Sequence, residues 1–164
     1  MVDFVVRLAT RQDFPEIRAL IHAVSINPTG LDWRRFLVAV SADNTLLGCG
    51  QIKPHFDGSR EMASVAVQEQ ARGQGVARAV IQELQAREKK RPLYLMCRAR
   101  LEPLYVKFGF RVINQAEMPV YFQRICQAER IFNTKAQPEN RLIVMRLQGK
   151  SEIGPGSYQG KQEK

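Results

Sequence analysis

One stretch of the sequence decides the fold: Val65-Ala66-Val67-Gln68-Glu69-Gln70-Ala71-Arg72-Gly73-Gln74-Gly75-Val76-Ala77. It begins as a β-branched strand, passes through a turn that carries Gly73 and Gly75, and enters a helix. The first turn of a helix leaves backbone N–H groups unpaired and carries a partial positive charge, so such a junction holds an anion without dedicated side chains. Glycine lets the backbone come close to the anion because no Cβ intrudes. The stretch therefore predicts a phosphate-binding turn.

Two other phosphate-binding loops do not fit this turn. A P-loop closes on Gly-Lys followed by Ser or Thr, and the turn has no such ending. The dinucleotide fingerprint requires a third glycine three residues after the second, where this chain has Arg78. Taken by itself, the junction is also compatible with a purely structural role.

The residues after the turn predict an amphipathic helix and then a buried strand. Apolar residues follow the spacing i, i+3, i+4, i+7 of a helix with one face on a core, at Ala77, Val80, Ile81 and Leu84. This helix is expected to end near residues 89–92, where cations suit the negative helix end and Pro92 prevents continuation. Residues 93–97 are apolar at every position, which is typical of a strand buried on both faces.

Other segments continue this alternation of strands and helices. Runs rich in β-branched and aromatic residues predict strands at residues 4–8, 36–40, 46–52, 62–67, 110–113 and 142–147. Helical spacing predicts one helix that begins near Asp13 and two more over residues 101–107 and 119–133. The chain is therefore predicted to have an α/β (α+β) fold.

Length and composition indicate one domain. With 164 residues, 45% hydrophobic and 25% charged, the chain resembles an ordinary globular domain. We expect the domain to cover residues 1–149 and the Gly/Ser/Lys-rich residues 150–164 to form a flexible tail. No apolar run approaches the ~20 residues of a membrane span, and the first residues do not form a signal segment. We therefore expect a cytoplasmic location and no membrane partner.

Cysteine and histidine usage does not suggest a metal site. Three cysteines, Cys49, Cys97 and Cys126, are an odd number at wide spacing in apolar contexts, which favours reduced core thiols. His22 and His55 lie far apart in sequence and form no ligand pair. No metal is expected.

The formal charge of +9 and the isoelectric point near 9.9 suggest an anionic partner, either nucleic acid or a phosphate-rich cofactor. The local excess of cations lies in residues 72–91, just after the glycine turn, at Arg72, Arg78, Arg87, Lys89, Lys90 and Arg91. A solvated helix face would also account for these residues. No zinc pattern or basic-aromatic strand motif is present, so we do not expect nucleic acid to be a partner.

Three motifs in order resemble the GNAT superfamily of acetyl-CoA-dependent N-acetyltransferases. Gln70-x-x-Gly73-x-Gly75 resembles its signature Arg/Gln-x-x-Gly-x-Gly/Ala, and Leu104-Tyr105-Val106-Lys107-Phe108-Gly109-Phe110 resembles its Leu/Phe-Tyr-x-Lys-x-Gly-Phe segment. Arg7-x-Ala9-Thr10-x-x-Asp13 is similar to the first strand and helix of the family. The resemblance covers most of residues 4–113, and residues 142–147 resemble the closing strand.

The resemblance implies a mixed sheet of about six to seven strands, flanked by helices and splayed between the fourth and fifth strands. Pantetheine would lie in the splay, with acetyl-CoA as the acyl donor and its pyrophosphate on the glycine turn. The residues implied to bind this cosubstrate are Val65, Ala66, Val67, Arg72, Gly73, Gln74, Gly75, Val76, Ala77 and Arg78.

In the chemistry that the resemblance implies, a neutral amine attacks the thioester directly and no covalent enzyme intermediate forms. Tyr105 aligns with the general acid that protonates the departing CoA thiolate, and the backbone N–H of Val67 would stabilise the oxyanion. Glu61 is the candidate base, since it resembles the glutamate of the histone-acetylating branch. A water chain could serve instead, a solvated Glu61 at the strand end is an alternative, and Tyr105 could be a packed aromatic.

Two segments depart from the family pattern or extend it. The segment Cys97-Arg98-Ala99-Arg100-Leu101-Glu102-Pro103 lacks the asparagine that many members use against the cofactor, so Arg98 could face the acceptor or the cofactor. The helix at 119–133 could be a lid, a dimer surface or extra core cover.

The function predicted from the sequence is therefore N-acetylation of a primary amine, on a small molecule or at a protein N-terminus or lysine. The alternative is a non-catalytic acyl-CoA sensor or protein-docking module. The sequence does not identify the acceptor, and the chain could be a monomer or a homodimer.

Overall fold

A computed structural model describes residues 2–149, and the predicted tail at 150–164 lies outside these residues. The described part of the chain forms one seven-stranded sheet in the order β1-β2-β3-β4-β5-β7-β6. Its strands are β1 (Phe4–Leu8), β2 (Phe36–Ser41), β3 (Leu46–Pro54), β4 (Arg60–Val67), β5 (Leu93–Arg98), β6 (Arg111–Val112) and β7 (Leu142–Leu147). Neighbouring strands are antiparallel except β4 and β5, which are parallel.

Four α-helices flank the sheet: α1 (Phe14–Ala23), α2 (Val76–Arg87), α3 (Glu102–Val106) and α4 (Val120–Phe132). Helices α2 and α3 share one hydrophobic cluster with β2 to β5 and β7, whereas α1 packs in a second cluster. Helix α4 contributes Phe122 and Cys126 to a third cluster with β5 and β7. In residues 2–149, no helix combines the length and the apolar character needed to cross a bilayer.

Helix α2 packs directly on β3 at Gly48 and Gly50, where a side chain would not fit. A Cβ at Gly48 would lie 2.7 Å from Val76 Cγ1 and 2.9 Å from the carbonyl oxygen of Ala66. A Cβ at Gly50 would lie 2.9 Å from Leu84 Cδ1. The small residues of β3 therefore fix the position of α2, and with it the turn at the start of the helix.

The sheet separates between its two parallel strands. Strand β4 pairs with β5 at only two positions, Arg60 with Leu93 and Glu61 with Tyr94. Downstream of Glu61 the two strands part, although β4 remains paired with β3 up to Val67. The predicted mixed sheet, splayed between its fourth and fifth strands, is confirmed.

The predicted strands and helices are all present, and the differences lie at their ends. The strand predicted at 110–113 is reduced to two residues, Arg111–Val112. The strand predicted at 62–67 begins earlier, at Arg60. Glu61 therefore lies within β4 and is 5% exposed, so the alternative of a solvated strand end is wrong for this residue.

Candidate active site

The turn before α2 presents a row of free backbone N–H groups. Gly73 and Gly75 adopt positive φ angles of 76° and 84°, a conformation that glycine reaches without steric cost. Gly75 precedes the helix, and no side chain caps it. Among the described residues, no backbone or side-chain acceptor pairs with the N–H groups of residues 73–78. This row of amides at a helix N-terminus is suited to a phosphate group.

The space in front of these amides is open. A Cβ at either turn glycine would have no neighbour within 4 Å. The side chain of Gln74 points elsewhere: its Oε1 accepts from the Val2 backbone N–H at 3.0 Å, and its Nε2 donates to the Gln70 carbonyl at 2.9 Å. Arg72 and Arg78 are exposed beside the turn. The turn therefore offers backbone donors, positive charge and room for a diphosphate.

The edge of β4 next to the turn is also free on the side where the sheet parts. Backbone groups of successive residues in a strand point to opposite sides, and the N–H of Gln68 donates to the Leu47 carbonyl on β3 at 2.8 Å. The backbone groups of Val65 and Val67 therefore point away from β3, into the gap, whereas Ala66 is buried and pairs with β3. An extended ligand could pair with this edge.

A bulge in β4 shapes the same edge. The register of β3 and β4 shifts between Cys49 and Gln51, and Ser64 on the facing strand has a φ angle of 56°. Gln51 is fully buried, and its Nε2 donates to the Ser64 hydroxyl at 3.0 Å. Because bulges bend a strand and increase its twist, this one helps to carry β4 away from β5.

Tyr105 lies on α3, the short helix that follows β5 in the chain. It is 8% exposed on α3 and packs edge-on against Phe110, with ring centroids 6.2 Å apart. Burial, and then the nearby Cys97 on β5, raise the pKa of the Tyr105 phenol above its usual value. The phenol is therefore protonated at neutral pH, the form that a proton donor requires.

The cysteines are poor nucleophiles. All three are buried and free. Burial, and to a lesser extent Glu102, raise the pKa of the Cys97 thiol to about 12, and burial likewise raises that of Cys49 to about 12. Because the thiolate is the nucleophile, these residues act as core side chains.

Glu61 is held by a partner that sequence reasoning missed. The Nε2 of His55 lies 2.7 Å from Glu61 Oε2, and the two side chains are 8% and 6% exposed. Counted along β4 at about 3.3 Å per residue, Glu61 is roughly 13 Å from Val65. The structure thus places the turn next to the free edge of β4 and sets Glu61 at the closed end of the gap. Tyr105 lies in the hydrophobic cluster that α2 and α3 share with the sheet. The only sequence signal for the His55–Glu61 contact is that the histidine lies six residues before the glutamate, on the other side of a predicted turn.

The start of α4 covers the His55–Glu61 pair. The ring of Tyr121 stacks on His55 with centroids 3.5 Å apart, and the Tyr121 backbone N–H donates to Asp57 Oδ2 at 2.8 Å. In the same hairpin, Phe56 lies under the guanidinium of Arg124 at 5.3 Å. This half of α4 is core cover, one of the roles left open by the sequence.

Arg98 lies on the α4 side of the sheet. Its guanidinium is paired with Glu129 on α4 and donates to the Asn140 carbonyl at 3.1 Å. A cavity of about 440 Å³ opens next to Glu129, between the second half of α4 and the start of β7. None of the residues predicted to bind the cosubstrate lines this cavity. Within residues 2–149, no group of three or more His, Cys, Asp or Glu side chains is arranged to hold a metal ion.

The fold and the open turn agree with a family comparison. Residues 32–112 match the family model described as "Acetyltransferase (GNAT) domain". With the seven-stranded sheet and its split between β4 and β5, this match identifies a GNAT acetyltransferase domain in the chain. No curated protein sequence matches the chain.

Solved structures share the fold at low sequence identity. N-acetylglutamate synthase from Neisseria gonorrhoeae, complexed with coenzyme A and N-acetyl-glutamate, gives a TM-score of 0.70 at 16% identity, over 90% of this chain and 35% of that one. Rv2747 from Mycobacterium tuberculosis, in complex with CoA and NLQ, gives a TM-score of 0.67 at 23% identity, over 88% of this chain and 99% of that one. ElaA from Escherichia coli gives a TM-score of 0.62 at 17% identity, over 90% of this chain and 100% of that one. This chain thus spans about a third of the synthase's length.

Proposed function

We propose that this chain is a cytoplasmic N-acetyltransferase that moves an acetyl group from acetyl-CoA directly to a primary amine in a ternary complex. The observation that carries the proposal is the row of N–H groups at residues 73–78, which has no acceptor among the described residues and adjoins a free strand edge. A ligand with a diphosphate at one end and amides along its length matches both features. CoA complexes of proteins with this fold support the same assignment.

In this proposal, each part of the cosubstrate has a place in the gap. The diphosphate accepts hydrogen bonds from the amides of residues 73–78, in the positive field of Arg72 and Arg78. The pantetheine amides pair with the backbone groups of Val65 and with the carbonyl of Val67, which leaves the Val67 N–H free. The thioester then lies inside the split of the sheet, where backbone donors are already fixed in place before charge develops.

Acyl transfer requires a donor for the oxyanion and a proton for the leaving group. The backbone N–H of Val67 points into the gap and supplies the first. The Tyr105 phenol, protonated at neutral pH, supplies the second as the C–S bond breaks and the electron pair leaves on sulfur. Holding amine and thioester together provides much of the remaining acceleration, up to about 7–11 kcal/mol for ideal alignment.

The amine must lose a proton before it attacks, and we assign this task to Glu61. Glu61 is six residues from Val67, the proposed oxyanion donor, or roughly 20 Å along the strand. This separation favours transfer through water in the gap over direct contact with an amine at the thioester. The two alternatives of the sequence analysis, a glutamate base and a water chain, are thereby parts of one path.

A turnover assay tests the proposal. Purified protein is given acetyl-CoA and a panel of amines, and release of the CoA thiol is followed. Amino acids come first, because the Neisseria gonorrhoeae structure holds N-acetyl-glutamate; peptides with free N-termini or lysines follow. Thiol release that depends on one class of amine supports the enzyme. Binding of CoA without turnover on any amine favours the sensor, and failure to bind CoA overturns both.

A further inference from the structure

The buried carboxylate of Glu61 depends on a single side chain. Removing a charged group from water is costly unless hydrogen bonds compensate. Among the described residues, the only side chain that hydrogen-bonds Glu61 is His55, whose Nε2 lies 2.7 Å from Oε2. Lys53 stands opposite Glu61 on β3, but its Nζ donates to the Thr29 carbonyl at 2.8 Å. Oε2 of Glu61 therefore has a hydrogen-bond partner, whereas Oε1 has no side-chain partner among the described residues.

The imidazole of His55 cannot easily turn away from this contact. Its backbone N–H donates to the Ser59 carbonyl at 3.0 Å, which closes the β3–β4 hairpin. Its ring stacks on Tyr121 at 3.5 Å and meets the edge of Phe122 at 5.6 Å. Tyr121 is itself tied to the hairpin through Asp57. A ring clamped between a hairpin and a helix points its nitrogen in a fixed direction.

Other ionisable groups surround the pair on each element packed against it. They are Lys53 on β3 with Arg35 beside it, Asp57 in the hairpin, Tyr94 opposite Glu61 on β5, and Tyr121 on α4. Burial lowers the pKa of Lys53, and Glu61 partly offsets that effect, so the carboxylate is electrically coupled to its neighbour. The side-chain hydrogen bond from His55 is the contact that distinguishes one oxygen of Glu61 from the other.

We propose that His55 is a positioning residue for the base: it holds Oε2 of Glu61 so that Oε1 faces the gap and receives the proton of the incoming ammonium group. This inference rests on the proposed function. In the step, an N–H bond of the ammonium breaks, its electron pair stays on nitrogen, and the proton passes through water in the gap to Oε1. The contact between Nε2 and Oε2 fixes the orientation of the Glu61 carboxyl group. Nothing in the family motifs quoted above contains His55.

The test is a double-mutant cycle on His55 and Glu61, measured as kcat/KM for the best amine from pH 5.5 to 9. His55→Phe keeps a ring to stack on Tyr121 but removes the nitrogen, whereas His55→Gln keeps an N–H donor. We expect His55→Phe to lower kcat/KM about 10-fold and to move the acidic fall of the profile to higher pH. His55→Gln should restore most of kcat/KM and most of the pH profile. KM for acetyl-CoA should not change in either variant.

In the Glu61→Gln background, His55→Phe should have little further effect, because the two residues act through one path. His22→Gln on the exposed face of α1 is the matched control, and thermal unfolding checks that each variant is folded. If the wild type turns over but His55→Phe keeps its rate and pH profile, or if the two losses simply add, the positioning role is refuted and the enzyme stands. If the wild type shows no turnover, the proposed function itself fails, and this inference with it.

Discussion

The guanidinium of Arg7 on β1 makes two parallel hydrogen bonds to the carboxylate of Asp13, at 2.8 and 2.9 Å. Asp13 also accepts from the backbone N–H and the hydroxyl of Thr10, at 2.6 and 2.8 Å. The hydrogen bond from Arg7, followed by those from Thr10, lowers the pKa of Asp13 from 3.8 to about 2. Two of the residues that resemble the first family motif thus form a link between β1 and the start of α1.

The depressed pKa of Asp13 predicts acid sensitivity. A carboxyl group whose pKa is lower in the folded state stabilises the fold above its unfolded pKa, and that stabilisation is lost as pH falls from 3.8 toward about 2. Asp13→Asn should therefore cost about 1–2 kcal/mol at pH 7, after allowance for partial solvent screening. Urea unfolding of both proteins at pH 7 and pH 2.5 measures this, and the difference between them should shrink at the lower pH. An equal difference in unfolding free energy between the two proteins at both pH values contradicts the prediction.

Replacing Tyr105 by phenylalanine should separate chemistry from binding. The ring keeps its contact with Phe110, but the proton donor is lost, so we expect turnover to fall about 100-fold or more. The dissociation constant for CoA, measured by calorimetry, should stay within a factor of about two or three. An unchanged turnover number would remove Tyr105 from the mechanism.

A side chain at Gly75 should weaken CoA binding. Alanine there would adopt the positive φ of 84° at a cost of about 1–3 kcal/mol and would place a Cβ where the proposed diphosphate lies. We expect the affinity for CoA to drop at least about 10-fold. Gly58→Ala is the matched control, since Gly58 has a φ of 81° in the β3–β4 hairpin, away from the turn. Equal losses of affinity in the two variants would mean that strain, and not the turn, is responsible.

The two glycines of β3 should tolerate a methyl group to different degrees. At Gly48 the added Cβ would lie 2.9 Å from the Ala66 backbone oxygen, which cannot move without disturbing β4. At Gly50 the close atoms belong to the side chains of Leu84 and Val80, which can shift. We expect Gly48→Ala to destabilise the protein by about 2–3 kcal/mol and Gly50→Ala by about 1–2 kcal/mol. Denaturant unfolding would contradict this argument if the order were reversed.

Much of the fold could be predicted because its signals are local. The spacing of Val80, Ile81 and Leu84 indicates α2, and the apolar run at 93–97 indicates the central strand β5, because each pattern records which faces meet the core. The glycine turn was equally readable, since positive φ angles at Gly73 and Gly75 have a strong residue preference.

The surroundings of Glu61 could not be read in the same way. Its burial depends on β4 starting at Arg60, on a hairpin that returns His55 to its side, and on α4 closing over both. These are long-range packing relationships, and no periodicity in the sequence records them. The orientation of Arg98 toward Glu129 was beyond prediction for the same reason, because the two residues meet only once α4 is docked.

The two-pair contact between β4 and β5 divides the sheet into two ribbons, β1 to β4 and β5 with β7 and β6, stitched together at one end. Backbone N–H and C=O groups along the opening have no hydrogen-bond partners among the described residues. A molecule with amides along its length would hydrogen-bond to both ribbons. Amide hydrogen exchange along β4 and β5 should therefore slow when CoA binds. A CoA molecule bound along this opening would thus serve as an additional strand of the sheet.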